Sequence, residues 1–343
     1  MKKFSKTLLS ILLACGMSAC TSSNPAATTT PEASTDTSGG TQAQPEAVVI
    51  GGIQYVQHAA LDRATEGFVA ALADAGYVEG ENLTFDLQNA QGDISNCETI
   101  ANTLVNEGVN LIFANATPAA QAVAAKTDSI PVLITSVTDP ATSGLVDTNE
   151  APGANITGTS DLTPVEQQIQ LLTQLLPDAK TIAILYTGSE DNSIFQADAA
   201  RAAAEAAGLA TEDYTVTDSN SIQSVVESMV GKVDAVYIPT DNLLAEGMAL
   251  VGQICNSNGL PSIVGETGMV ENGGLATYGI DYYNLGYKTG EMAVEILQGA
   301  DPSTMPIAYL PAEDCELTIN QTTADALGIT IPDDIKATAT IVE

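Results

Sequence analysis

The sequence predicts an α/β fold of two lobes, each a parallel sheet covered by helices on both faces, joined by three strands. Three observations carry this. Short apolar runs alternate with stretches of helical spacing, the pattern of βα units in a parallel sheet. The series runs from residue 48 to about 140 and restarts near Gly158, giving two blocks of similar size. A further strand-then-helix stretch at 268–297 and an apolar run at 306–319 come after both blocks, so a return to the first block and a second crossing make three connections.

Each element has its own signal. Residues 48–54 (VVIGGIQ) form an apolar strand, followed by a helix at 60–75 closed by Gly76, a natural left-handed cap. Strand 83–88, helix 93–106 and strand 109–114 follow, with Ile100, Leu104 and Val105 turned inward. Thr117 caps a helix whose first residue is Pro118, and 131–135 is the fourth strand. The second block opens on the capping box Thr163-Pro164-Val165-Glu166, with Leu171, Leu172, Leu175 and Leu176 on one helix side. Strands at 181–186, 209–216, 233–239 and 261–265 then alternate with helices at 193–207, 219–230 and 243–256. Gly273-Gly274 introduce a strand at 275–280 that stops at Asp281, and 284–297 is helical, with Leu285, Met292, Ile296 and Leu297 near one stripe. A short helix at 322–327 follows the last apolar run. Both lobes are Rossmann-like, with expected boundaries at 47–161 plus 281–305 and at 162–280 plus 306–343.

The start of the chain predicts export. Lys2, Lys3 and Lys6 precede an apolar run at 7–17 that is too short to span a bilayer, and Met17-Ser18-Ala19-Cys20 ends in small residues and cysteine. Residues 1–19 are expected to be a signal peptide, with Cys20 the lipidated first residue of the mature chain, held to the outer face of the cell membrane. Cys15 closes a rival box with a shorter apolar run. Residues 20–46, rich in Thr, Ser, Ala, Pro and Gly, cannot bury enough surface to order and read as a tether.

Composition excludes several function classes. The formal net charge is −33, with 43 acidic residues against 10 basic ones, so nucleic acid is not an expected partner. One histidine (His58) and three cysteines beyond Cys20 (Cys97, Cys255, Cys315) without ligand-like spacing leave little for a metal site or a histidine-based catalytic centre. No phosphate loop or strong dinucleotide fingerprint is present. No catalytic residue, cofactor or metal is expected.

In open parallel sheets ligands meet the carboxyl ends of the strands. Those ends carry Gln54 to His58, Asn115 to Pro118, Ser136 to Asp139, Thr187 to Ser193, Asp241-Asn242, Glu266 and Asp281, and none of these loops holds lysine or arginine. The motifs GIQYVQHAALD (52–62), NAQGD (89–93), ATPAAQ (116–121), VTDP (137–140), GTSD (158–161) and PTDN (239–242) lie in or next to them. With them, over about residues 48–335, the chain resembles the substrate-binding lipoproteins of bacterial ABC importers that share the type I periplasmic-binding fold. Within that family it is most similar to the branch with tryptophan- and other aromatic-amino-acid-binding members. The resemblance implies a monomer that traps a small solute between hinged lobes and presents it to an ABC permease in the membrane.

Chemically, hydroxyls and backbone amides suit a carboxylate, while acids suit an ammonium group. The expected ligand-binding set is therefore Gln54, His58, Asn115, Thr117, Ser136, Thr138, Asp139, Asn192, Ser193, Asp241, Asn242, Glu266 and Asp281, around a zwitterionic amino acid. Tyr55, Tyr186, Phe195, Tyr278, Tyr282 and Tyr283 are candidates for a stacking wall. Plain structural roles compete at several positions: Thr117, Asp241 and Asp281 as helix caps, Asp139 as a turn former, Glu266 in a pair across the hinge. Two other functions fit the same fold, a sensor reporting its ligand to a membrane receptor and a sugar- or nucleoside-binding protein.

Overall fold

The computed structural model describes residues 46–311 and 314–343. The expected signal peptide, the lipidated Cys20 and all but the last residue of the tether lie outside the described residues. The first block runs β1 (Val48–Gln54), α1 (Ala59–Asp74), β2 (Leu83–Asn89), α2 (Ile94–Glu107), β3 (Leu111–Asn115), α3 (Thr117–Ala124), β4 (Val132–Val137) and β5 (Ile156–Ser160). The second runs α4 (Val165–Leu175), β6 (Thr181–Thr187), α5 (Asp191–Ala206), β7 (Ala210–Val216), α6 (Ser219–Met229) and β8 (Ala235–Ile238). It continues through α7 (Asn242–Glu246), α8 (Met248–Ser257), β9 (Ser262–Val264), α9 (Thr267–Glu271) and β10 (Ala276–Gly279). The chain ends with α10 (Tyr282–Leu297), β11 (Ala308–Tyr309), β12 (Glu316–Asn320), α11 (Gln321–Leu327), α12 (Asp333–Lys336) and β13 (Thr340–Val342).

These strands form two sheets. The first has the order β11-β5-β4-β3-β1-β2 and is parallel throughout. The second has the order β13-β12-β10-β9-β8-β6-β7 and is parallel except where β12 runs against β10. Each sheet is buried on both faces, which is why its central strands read as unbroken apolar runs. The chain passes between sheets three times, from β5 to α4, from β10 to α10 and from β11 to β12.

The run at 306–319, which reads from sequence as a final strand or pair of the second lobe, is a pair shared between the two sheets. It divides, with Ala308 and Tyr309 pairing with Thr159 and Ser160 in the first sheet and only the β12 part joining the second. The expected lobe boundary at 305/306 therefore moves beyond Tyr309. A two-residue strand is too short to show any period, and only its partners identify it. The strand β13 and the short α9 and α12 carry no sequence signal of comparable strength.

The helix α10 belongs beside α1, on the first sheet, although it follows the second block. Its small residues make this possible. A Cβ on Gly286 would collide with the Ala64 carbonyl, and one on Gly67 of α1 would collide with that of Tyr283, so the two backbones touch. Beneath α1, Phe68 stacks on Phe113 with ring centroids 4.1 Å apart. This helix pair fixes where the second crossing lands, and with it the position of Tyr282. Among the described residues no helix is long and apolar enough to cross a membrane.

Candidate functional site

The carboxyl ends of both sheets face each other across a small cavity. His58, Leu61 and Ser136 line it from the first lobe. Asn192, Thr240, Asp241, Asn242, Ala245 and Glu266 line it from the second, and Asp161 and Tyr282 stand at the crossings. The lobes touch around it. His58 Nε2 lies 3.3 Å from Asn242 Oδ1, Gln196 Nε2 donates to Thr138 Oγ1 at 3.1 Å, and Gln121 Nε2 donates to Asp191 Oδ2 at 2.8 Å. The protein is closed. Among larger hollows, one near Arg63 and Asp281 adjoins this cavity through Glu266 and Tyr282, and one at the opposite end of the second sheet lies near Leu176 and Leu327; neither has what distinguishes this cavity.

The first distinction is strained backbone. Ala116 has φ +86° and Ser136 φ +54°, at the ends of β3 and β4. Such conformations cost about 1–3 kcal/mol in a non-glycine residue and persist where a site requires them. The second is a concentration of buried polar atoms without a hydrogen-bond partner: His58 Nδ1, Thr117 Oγ1, Ser136 Oγ, Glu190 Oε1 and Asn192 Oδ1. A folded protein rarely leaves such atoms unsatisfied. Hydroxyls dominate on the first-lobe side and acceptor oxygens on the second.

Three buried carboxylates, Asp161, Asp241 and Glu266, line the cavity, a fourth, Glu190, lies behind the lining residues Asn192 and Asn242, and their bonding differs. Asp241 caps α7 and accepts from Thr187 N at 2.6 Å, Thr187 Oγ1 at 2.8 Å and Leu244 N at 2.9 Å. Glu266 caps α9 and accepts from Gly268 N at 2.5 Å; burial pushes its pKa up to about 7. Asp161 accepts from Tyr282 Oη at 2.8 Å and Thr138 Oγ1 at 3.2 Å, and burial raises it to about 6. Glu190 is held through Oε2 alone, by Asn242 Nδ2 at 2.6 Å and Asn192 Nδ2 at 3.3 Å. Burial, then the nearby charge of Asp241, pushes Glu190 up to about 8. Burial raises Asp241 as well, but its additional donors favour its charged form, so Glu190 is the member of this pair that more readily takes a proton. Burial lowers His58 to about 4, so its ring is neutral at pH 7. No lysine or arginine lines the cavity.

Of the residues expected at the site, His58, Ser136, Asn192, Asp241, Asn242 and Glu266 line the cavity. Thr117 starts α3, next to the end of β4, where Ala116 N donates to Thr135 O. Thr138 and Ser193 are buried just behind, Thr138 bridging Asp161 and Gln196, Ser193 within 3.3 Å of Asn192 Nδ2.

Four others serve the scaffold. Gln54 Nε2 donates to Val56 O and Asp62 Oδ1, and Asn115 Nδ2 donates to Leu61 O, so this pair ties two strand ends to α1 rather than facing the cavity. Asp139 accepts from Thr142 N at 2.8 Å and Oγ1 at 3.0 Å, forming a turn. Asp281 is exposed, capping α10 through Tyr283 N at 2.8 Å and Asn284 N at 3.3 Å. Among the aromatic candidates only Tyr282 reaches the cavity. Tyr186 and Tyr278 pack against the second core, Tyr55 donates to Gly92 O, and Tyr283 lies beneath Arg63.

Sequence reasoning passed over Asp161, Thr240 and Gln196 and did not single out Glu190. Asp161 stood inside the quoted GTSD motif and Glu190 inside the 187–193 loop. Gln196, on an alanine-rich helix, offered only its being a long polar residue on a buried face.

The chain matches the family model described as ABC transporter substrate binding protein over residues 49–343, and it belongs to that family. A protein of Clostridioides difficile strain R20291 described as a tyrosine-binding protein is 41% identical over 278 residues, 81% of this chain and 80% of that one. A Streptococcus pneumoniae ABC domain in complex with L-Trp superposes with a TM-score of 0.84 at 40% identity, covering 87% of this chain and all of the other. A ligand-free, open substrate-binding protein with adhesive properties from Clostridium difficile is more similar in sequence, at 43%, with 86% and 99% covered. Its TM-score is nevertheless only 0.66. Higher identity with poorer superposition is what a rigid-body difference between two lobes produces, and it agrees with the closed contacts above.

Proposed function

We propose that this ABC transporter substrate-binding protein captures a single zwitterionic amino acid with an aromatic side chain and hands it to a membrane permease. One observation carries the reading: the unpartnered buried atoms around the cavity are sorted by polarity. Glu190 Oε1 and Asn192 Oδ1, on the second lobe, suit an ammonium group. Ser136 Oγ and Thr117 Oγ1, beside the amino end of α3, suit a carboxylate. Glu190 is the anchor for the positive end, because it alone of the four carboxylates has a buried oxygen without a donor. A dianionic guest has no cation to meet it, and the similar proteins described as binding tyrosine and L-Trp support an aromatic side chain.

Closure over the guest joins two half-surfaces into one that a permease reads, and the guest's preference for the joined state supplies the energy. The protein works outside the cytoplasm as a monomer, exported by residues 1–19 and held to the membrane by lipid on Cys20, with 20–46 as the tether.

The test is titration calorimetry with L-tyrosine, L-tryptophan, L-glutamate and glucose. Saturable binding of tyrosine or tryptophan, weakened at least about 50-fold in Glu190→Gln, is the expected result, the scale of removing one partner from a buried charge pair. Binding of glucose without either aromatic amino acid would overturn the proposal.

A further inference from the structure

The orientation of one amide fixes the tautomer of the single histidine, and the tautomer determines which guests the cavity accepts. Asn242 Nδ2 donates to Glu190 Oε2 at 2.6 Å, so Oδ1 is the atom turned toward His58. That oxygen lies 3.3 Å from His58 Nε2. An oxygen acceptor needs a donor opposite, so Nε2 carries the ring hydrogen. The ring is neutral at pH 7, since burial lowers its pKa to about 4, and a neutral ring holds one proton. Nδ1 is therefore a bare acceptor. It is buried and without a partner, on a residue that lines the cavity. The nearby Asp62 carboxylate cannot serve it, being an acceptor itself, and is engaged by Gln54 Nε2 at 2.7 Å and Gln57 Nε2 at 3.3 Å.

We infer that His58 is a specificity-determining residue: its Nδ1 accepts the side-chain hydrogen of the guest, the phenol O–H of tyrosine or the indole N–H of tryptophan. Phenylalanine, which offers neither, leaves the acceptor buried and unmet and is the member of the aromatic class that is rejected. This rests on the amino-acid reading above and narrows it. The three ammonium hydrogens have acceptors on the second lobe in Glu190 Oε1, Asn192 Oδ1 and the cavity-lining Asp241 carboxylate, so Nδ1, on the first lobe, is left for the other end of the molecule.

Titration calorimetry on the whole protein with L-tyrosine, L-tryptophan, L-phenylalanine and O-methyl-L-tyrosine tests this. Tyrosine and tryptophan bind roughly ten- to a hundredfold more tightly than phenylalanine, the scale of one unmet buried acceptor, and O-methyl-L-tyrosine behaves as phenylalanine does. His58→Leu removes both ring nitrogens and leaves no acceptor at this position. Its tyrosine-to-phenylalanine ratio falls to about one. His58→Asn keeps an acceptor near the position of Nδ1 but gives up the link to Asn242. It binds every ligand more weakly yet preserves the ratio. Phenylalanine binding the native protein as tightly as tyrosine, or an unchanged ratio in His58→Leu, would overturn the role of His58 while leaving the amino-acid reading intact. Failure of all four amino acids to bind would remove both.

Discussion

Tyr282 Oη donates to Asp161 Oδ2 at 2.8 Å, and the two residues stand on different crossings between the lobes. The bond continues a chain. Thr138 Oγ1 donates to the same carboxylate at 3.2 Å and accepts from Gln196 Nε2, which also donates to Thr240 Oγ1 at 2.5 Å. The hinge is thus wired to both faces of the cavity, and the link from Gln196 to Thr138 is the one in this chain that joins the two lobes.

Tyr282→Phe removes that donor and keeps the ring. We expect ligand affinity to fall roughly ten- to hundredfold, about the worth of one hydrogen bond to a buried charge, because the closed state is less favoured. Calorimetry gives the affinity, and small-angle scattering gives the fraction closed. An unchanged affinity would show that the bond is present in the open state as well.

Ligand binding should release protons near neutral pH. Glu190 is raised to about 8 without a guest, so at pH 7 it is mostly protonated, and an ammonium group beside it favours the charged form. Binding then expels its proton, and affinity weakens as pH falls below 8, approaching tenfold per unit for one proton. Calorimetry in buffers of different ionisation enthalpy counts the protons. Zero release at pH 7 would remove Glu190 as the ammonium anchor.

The stability of the unliganded protein should move the other way. Asp161, Glu190 and Glu266 all have folded pKa values above their ordinary ones, near 6, 8 and 7. Each binds its proton more tightly when folded, so its stabilising contribution is full below pH 4 and is lost as pH rises through these values. The melting temperature should fall between pH 5 and 8 without ligand, and ligand should reduce that fall. A melting temperature that rises over this range would contradict the assignment.

Asp281→Asn should leave ligand affinity unchanged, since the side chain is an exposed helix cap. Asp281→Ala should cost roughly 1 kcal/mol of stability, also without weakening binding. Chemical denaturation and calorimetry together separate the two effects.

Gly286→Ala should cost roughly 2–3 kcal/mol, because a methyl group there meets the Ala64 carbonyl across the contact between α1 and α10. Denaturant titration measures the loss. A neutral result would mean that the two helices are not in backbone contact.

The architecture was legible because most elements are long and periodic, and because the strand at 275–280 and the helix after it stand outside both blocks. The last boundary was not, since β11 has two residues and is defined only by Thr159 and Ser160 opposite it. Strand ends pointed to the right loops, yet residue type could not separate Asp241 and Asp281, both helix caps, one facing the cavity and the other exposed in solvent. Glu190 and Asp161 were harder still. What distinguishes them is how many donors the fold brings to each, and Asp161 and Tyr282 are 121 positions apart in the chain.

The bond from Gln121 to Asp191 spans the lobes and involves an exposed partner. Dyes attached at these two positions would sit side by side in the closed protein and separate when it opens. The protein would then serve as an optical gauge of its own cargo, readable in a mixture without purification.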